Sequence, residues 1–196
     1  RSELKPRPGA FGLPERFVGS LLPRDCWNEK LKDMPGRDGM TLFEALCIYC
    51  IKEGAGNADL SDPGTIFILS STKGNVDLLE TNPDDPRAYL DWSARKIAEH
   101  FGNRNTPVTV SNACVSGVCA QLMAARMIRS GQYRRAVVVG GDLLSRFIVS
   151  GFQSFKALSP EVCKPFDANR TGLNLGEAFG AIILEATDNV GKSDWV

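Results

Sequence analysis

The sequence predicts an α/β domain with a mostly parallel sheet layered with helices. Three observations carry this. Short apolar runs recur at residues 65–70, 107–111, 136–139 and 181–184. Segments with helical apolar spacing lie between most of them, and glycines or prolines punctuate the junctions. Strands that alternate with helices and are themselves almost wholly apolar read as a parallel sheet covered on both faces.

The elements follow in order. Residues 1–40 form one expected unit, an irregular N-terminal segment in which Pro6, Pro8, Pro14, Pro23 and Pro35 interrupt any period. Residues 41–196 form the second. Residues 41–53 are apolar nearly all round (Leu42, Phe43, Ala45, Leu46, Ile48, Tyr49, Ile51), as in a buried helix, with Gly54 and Gly56 ending it. Thr65 to Ser70 reads as a doubly covered strand, followed by a polar loop to Asn75. Asp85 and Pro86 fit an N-cap and first position of a helix with Leu90, Ala94, Ile97 and Phe101 as its buried stripe. A strand at residues 107–111 leads to a helix at residues 114–130, stopped by Gly131. Residues 136–139 form a second buried strand with a Gly140-Gly141-Asp142 turn. A long connection over residues 143–176 then reaches the closing strand at residues 181–184.

Formal net charge is zero, so the totals give no argument for nucleic acid or an anionic membrane. No apolar run is long enough for a membrane span. Arg1 in place of an initiator methionine is expected of a chain processed, cut or cloned from something longer. Six cysteines are present, several inside apolar helical runs. That usage suits packing residues in a reducing, cytoplasmic setting rather than a disulfide framework. Cys47-Ile48-Tyr49-Cys50 has metal or redox spacing, but it sits mid-helix with no second ligand pair, so no metal is expected.

Cys114 stands apart. It lies where a strand turns into a helix, in Val110-Ser111-Asn112-Ala113-Cys114-Val115-Ser116-Gly117. Unpaired N–H groups and the positive end of a helix favour thiolate, the nucleophilic form. Buried inert cysteines are common, so position alone leaves both readings open.

Three segments resemble the N-terminal half of a β-ketoacyl synthase, a condensing enzyme of the thiolase superfamily. They are residues 112–117, residues 135–142 (Arg-Ala-Val-Val-Val-Gly-Gly-Asp), and residues 163–172 (Cys-Lys-Pro-Phe-Asp-Ala-Asn-Arg-Thr-Gly) continuing through Leu175-Gly176-Glu177 to Glu185. The Pro-Phe-Asp run resembles the elongating fatty-acid and polyketide branch. The resemblance implies a thiolase-like half with Cys114 as nucleophile, taking an acyl chain from the phosphopantetheine of an acyl carrier protein before decarboxylative condensation with malonyl-carrier. It implies no bound cofactor. Cysteine suits the step, because a thioester keeps its carbonyl electrophilic.

Other positions follow from the same resemblance. Phe152 matches an aromatic bordering the acyl pocket, and Gly117 lets backbone or ligand approach closely. Lys156 matches a carrier-docking position. Apart from the resemblance, Arg129 clusters with Arg126, Arg134 and Arg135, a run that reads as charge offered to an acidic carrier or as a solvated face. Asp142, Asp167, Arg170 and Glu177 are expected to brace the site. The family's two decarboxylating histidines belong to its C-terminal half, whereas this chain has one histidine, His100, suited to a helix C-terminus. The expected partners are an acyl carrier protein and a second copy joined through residues 107–111, or a subunit supplying the other half. Two alternatives are a non-catalytic, chain-length-factor-like partner, which Cys114 argues against, and an unrelated cysteine hydrolase, which lacks a plausible base here.

Overall fold

A computed structural model describes residues 3–13 and 17–187. Arg1, Pro14 and the end of the second expected unit, residues 188–196, lie outside the described residues. The elements are β1 (Lys5–Arg7), β2 (Phe17–Ser20), α1 (Arg24–Leu31), α2 (Leu42–Ala55), β3 (Thr65–Ser70), α3 (Leu90–His100), β4 (Val108–Val110), α4 (Ser116–Arg129), β5 (Arg135–Asp142), α5 (Arg146–Ser154), β6 (Leu175–Gly176) and β7 (Ala178–Glu185).

The main sheet runs β4-β3-β5-β7. β3 pairs in parallel with β4 and β5, while β7 returns antiparallel along the whole of β5. The two sides of β3 and β5 feed different cores. Phe67, Leu69, Val137 and Val139 pack under α2 and α3 with Phe43, Ile48, Ile51 and Ile97. Ile66, Ile68, Ala136 and Val138 pack under α4 through Ala120 and Ala124. This two-sided burial explains why the strands are continuously apolar.

α2 starts as its sequence requires. Thr41 Oγ1 accepts from the Glu44 N–H at 3.3 Å, and Glu44 Oε2 accepts from the Thr41 N–H at 2.9 Å, a reciprocal cap. Glu44 is also buried, and its other oxygen accepts from Ser93 Oγ at 2.9 Å and Asn75 Nδ2 at 3.3 Å. One carboxylate thus ties α2, α3 and the loop after β3.

Several boundaries differ from expectation. Asp85 caps a short 3₁₀ turn over Pro86–Ala88, and the α-helix begins only at Leu90. Gly140, Gly141 and Asp142 continue β5 rather than turn, because β7 pairs with them. The long connection contains α5, whose Ser145 side chain caps it by accepting from the Ile148 N–H at 3.4 Å.

The first forty residues are not wholly irregular. β1 and β2 pair antiparallel, and β2 continues in parallel onto β6, so Pro6 sits on an edge strand where a missing N–H is tolerated. α1 lies before the expected boundary near residue 40 but packs across it, with Leu31 on Ala45 and Leu46 of α2. Among the described residues, no helix is long and apolar enough to cross a membrane.

Candidate active site

β4 ends at Val110 and α4 begins at Ser116, so Cys114 lies in the turn between them, two residues before the helix rather than at its first position. The thiol is exposed. Ala113 before it adopts φ 44°, a left-handed conformation that costs a non-glycine residue about 1–2 kcal/mol. Ser116 holds this turn in place. Its hydroxyl accepts from the Asn112 N–H at 2.7 Å and donates to the Ala113 carbonyl at 2.8 Å. The sequence reading assigned Ser116 no role, although a serine two residues after the cysteine was its visible signal. Asn112 Nδ2 reaches Cys119 Sγ at 3.4 Å.

Cys114 opens onto a cleft of about 570 Å³ between the start of α4, the carboxyl ends of β3 and β5, and the outward face of β7. Gly117, Gln121, Val138 and Ile182 line it, as do Ser71 and Asp142. The paired glycines of β5 let these walls close up. A methyl on Gly141 would fall 2.2 Å from the Phe179 ring, and one on Gly140 would fall 2.7 Å from the Ser70 carbonyl oxygen. Gly117 differs, because a methyl there would meet only Ser70 Oγ, at 3.9 Å. Its lack of a side chain therefore keeps cleft volume rather than admitting a neighbouring backbone. Asp142 accepts from Ser71 Oγ at 3.0 Å, and burial pushes its carboxyl above the usual carboxylate range against the opposing pull of that bond and of Lys73.

The other expected site residues are not gathered here. Phe152 packs beside the cluster of Leu13, Phe17, Leu144, Ile148 and Val149, outside the cleft lining. Lys156 is exposed just after α5, at φ 54°. Arg129 is exposed in the last turn of α4, about 20 Å along the helix from the Cys114 end. Arg135 does not belong to a surface patch: it is buried, bonded to the Asp59 carbonyl at 2.8 Å and to Glu185. Arg134 pairs with Asp62.

Glu177 braces as expected. Its buried carboxylate accepts from the N–H groups of Leu22 at 2.7 Å and Leu144 at 2.8 Å and from Arg24. It sits between Gly176 and Ala178, both of which line the cleft. Asp167 and Arg170 bond within their own loop instead. His100 ends α3 against Phe101, outside the cleft lining, and burial lowers its pKa, with Lys52 adding to the effect. Cys47 is buried, and burial pushes its thiol well up. Among the described residues, no three His, Cys, Asp or Glu side chains converge as a metal site.

The sequence model for the β-ketoacyl synthase N-terminal domain matches residues 77–189, which hold β4 to β7 and the Cys114 turn. The chain belongs to the β-ketoacyl synthase family. A putative polyketide β-ketoacyl synthase 1 from Streptomyces cyaneus is 30% identical over 63% of this chain and 32% of its own length. Nodulation protein E from Rhizobium sp. (strain N33) is 30% identical over 54% of this chain and 27% of its own. The chain therefore spans about a third or less of these curated relatives.

The fold agrees with solved ketosynthases. One from module 6 of the bacillaene synthase of Bacillus subtilis 168 superposes with a TM-score of 0.75 at 17% identity, over 95% of this chain and 34% of that one. A ketosynthase in complex with its chain length factor from Xenorhabdus doucetiae gives 0.66 at 20% identity, over 95% of this chain and 51% of that one.

Proposed function

We propose that this chain carries the acyl-accepting part of a β-ketoacyl synthase, with Cys114 as the nucleophile. The observation that supports it is the exposed thiol on a hydrogen-bonded turn, at the mouth of a cleft and at the N-terminal end of α4. In the step proposed, the Cys114 thiolate attacks the thioester carbonyl of an acyl chain held on the phosphopantetheine of a carrier protein. A tetrahedral oxyanion forms, for which the Cys114 N–H is the first donor. The carbon–sulfur bond to the pantetheine arm breaks, that arm leaves as a thiolate that takes a proton from solvent, and the acyl group remains as a thioester on Cys114. Condensation with malonyl-carrier then needs groups that stabilise the enolate left by carbon dioxide. In this reading they are two histidines of a C-terminal half, supplied by the rest of a longer protein or by a partner subunit. Gly117 shapes the acyl space, and Lys156 and Arg129 are carrier contacts, whereas Phe152 packs against a separate core cluster.

Incubation with acyl-pantetheine thioesters or cerulenin, followed by peptide mapping by mass spectrometry, tests the reading. Modification of Cys114 ahead of the other exposed cysteine, Cys26, is expected, and Cys114→Ala abolishes it. Labelling of other thiols while Cys114 stays free overturns it and favours a non-catalytic, chain-length-factor-like partner.

A further inference from the structure

The cleft is chemically uneven. Along β5 and β7 its walls are Val138, Gly180 and Ile182, which offer no polar side chain. Where β3 and β5 end, it meets Ser70, Ser71, Thr72 and Asp142, and the start of α4 adds Ser116 and Gln121; among the described residues, Asp142 is the one carboxylate in this lining. The Ser71 hydroxyl oxygen accepts from the N–H groups of Lys73 at 3.3 Å and Gly74 at 3.1 Å, which leaves its proton for Asp142 Oδ1 at 3.0 Å. A carboxylate has about four acceptor positions. Among the described residues, Ser71 is the group that hydrogen-bonds Asp142, and Oδ2 is not among the buried atoms lacking a partner. Asp142 is only half-buried and lines the cleft, so its carboxylate is within reach of a ligand there.

An apolar chain end pushed against this carboxylate would strip its water and return nothing. A ligand donor would restore the lost bond, and sites built around a buried polar group reject analogues that lack its partner. We infer that Asp142 makes the cleft selective for acyl groups carrying a hydrogen-bond donor, a hydroxyl or an amide N–H, beyond the thioester carbonyl. This rests on the reading of Cys114 as the acyl acceptor.

The test compares rates of Cys114 acylation by intact-protein mass spectrometry. The probes are octanoyl-pantetheine and a set of hydroxyoctanoyl-pantetheines with the hydroxyl moved along the chain. At least one hydroxyacyl probe is expected to react about tenfold faster than the plain chain, the worth of a hydrogen bond to a charged group. Asp142→Leu removes or inverts that preference. Ser71→Ala, which frees a second carboxylate oxygen without deleting the group, raises the preference and guards against a folding defect in the first variant. Equal rates for every probe, or a ratio unchanged in both variants, overturn the inference.

If no probe reaches Cys114, the acceptor reading fails by itself. Binding of the free acids to Cys114→Ala, followed by ligand-observed NMR, then decides the role of Asp142. Tighter binding of a hydroxy acid that is lost in the double variant with Asp142→Leu supports it, and equal binding of octanoate overturns it.

Discussion

Ala113 keeps a strained φ because Ser116 bonds to the backbone on both sides of it. Ser116→Ala removes both bonds and leaves the Asn112 N–H without its partner. It should cost about 1–3 kcal/mol in denaturant unfolding and slow acylation of Cys114 more than that of Cys26. Glu44 carries a comparable load, because three groups donate to it in the interior. Glu44→Ala is expected to lower stability by about 2–4 kcal/mol, measured as a fall in Tm. His100 makes a pH prediction. Its folded pKa is lowered by burial, so the unfolded chain binds more protons just below the usual imidazole value of about 6.5. Its contribution is complete above that value and is lost as pH falls through the folded pKa. His100→Phe should flatten the acid side of a stability-versus-pH curve measured by urea unfolding.

At the scale of elements, α4 and β7 carry the consequences. α4 touches the sheet through Ala120 and Ala124, while Val115, Val118 and Leu122 stay exposed. β7 packs Phe179, Ala181 and Ile183 inward and leaves Ile182 outward. The apolar surface beside the cleft is therefore unlike a finished exterior. Replacing Val118 and Leu122 together by lysine should lower binding of a hydrophobic dye and self-association in light scattering, with little change in Tm. The strand glycines should be the opposite case. Gly141→Val drives a side chain into Phe179 and is expected to cost about 1–3 kcal/mol or prevent folding, read as soluble yield and Tm.

At the scale of the molecule, the sheet was legible because burial on two sides leaves continuous apolar runs, as in Ile66 to Leu69 and Ala136 to Val139. The reversal of β7 was not, since an antiparallel edge strand and a parallel one share a composition. α5 was hidden because its helical period is short and lies between glycines and polar loops. β1, β2 and β6 were hidden because strands of two to four residues carry no period, and Pro6 argued against one. In the site, the motif places Cys114 and Gly117 at one turn, and both line the cleft. The surroundings of Phe152 and Arg135 were not legible, because a sequence match gives a residue's position along the chain but not the side of a helix or strand it occupies. β4 is an edge of the described sheet. We expect two copies to pair through it, and strictly monomeric behaviour in sedimentation at high concentration would contradict that.

Glu177 also sets a schedule. It fastens Leu22 and Arg24 across 155 and 153 residues of chain, and β2 waits on β6 for its parallel partner. A ribosome delivers these anchors long after the N-terminal strands have emerged. β1 and β2 must therefore wait for their parallel partner through most of synthesis, until after the Cys114 turn and its sheet have formed. Nascent chains stalled before Glu177 should be cut in β1 and β2 by a protease that spares the finished protein.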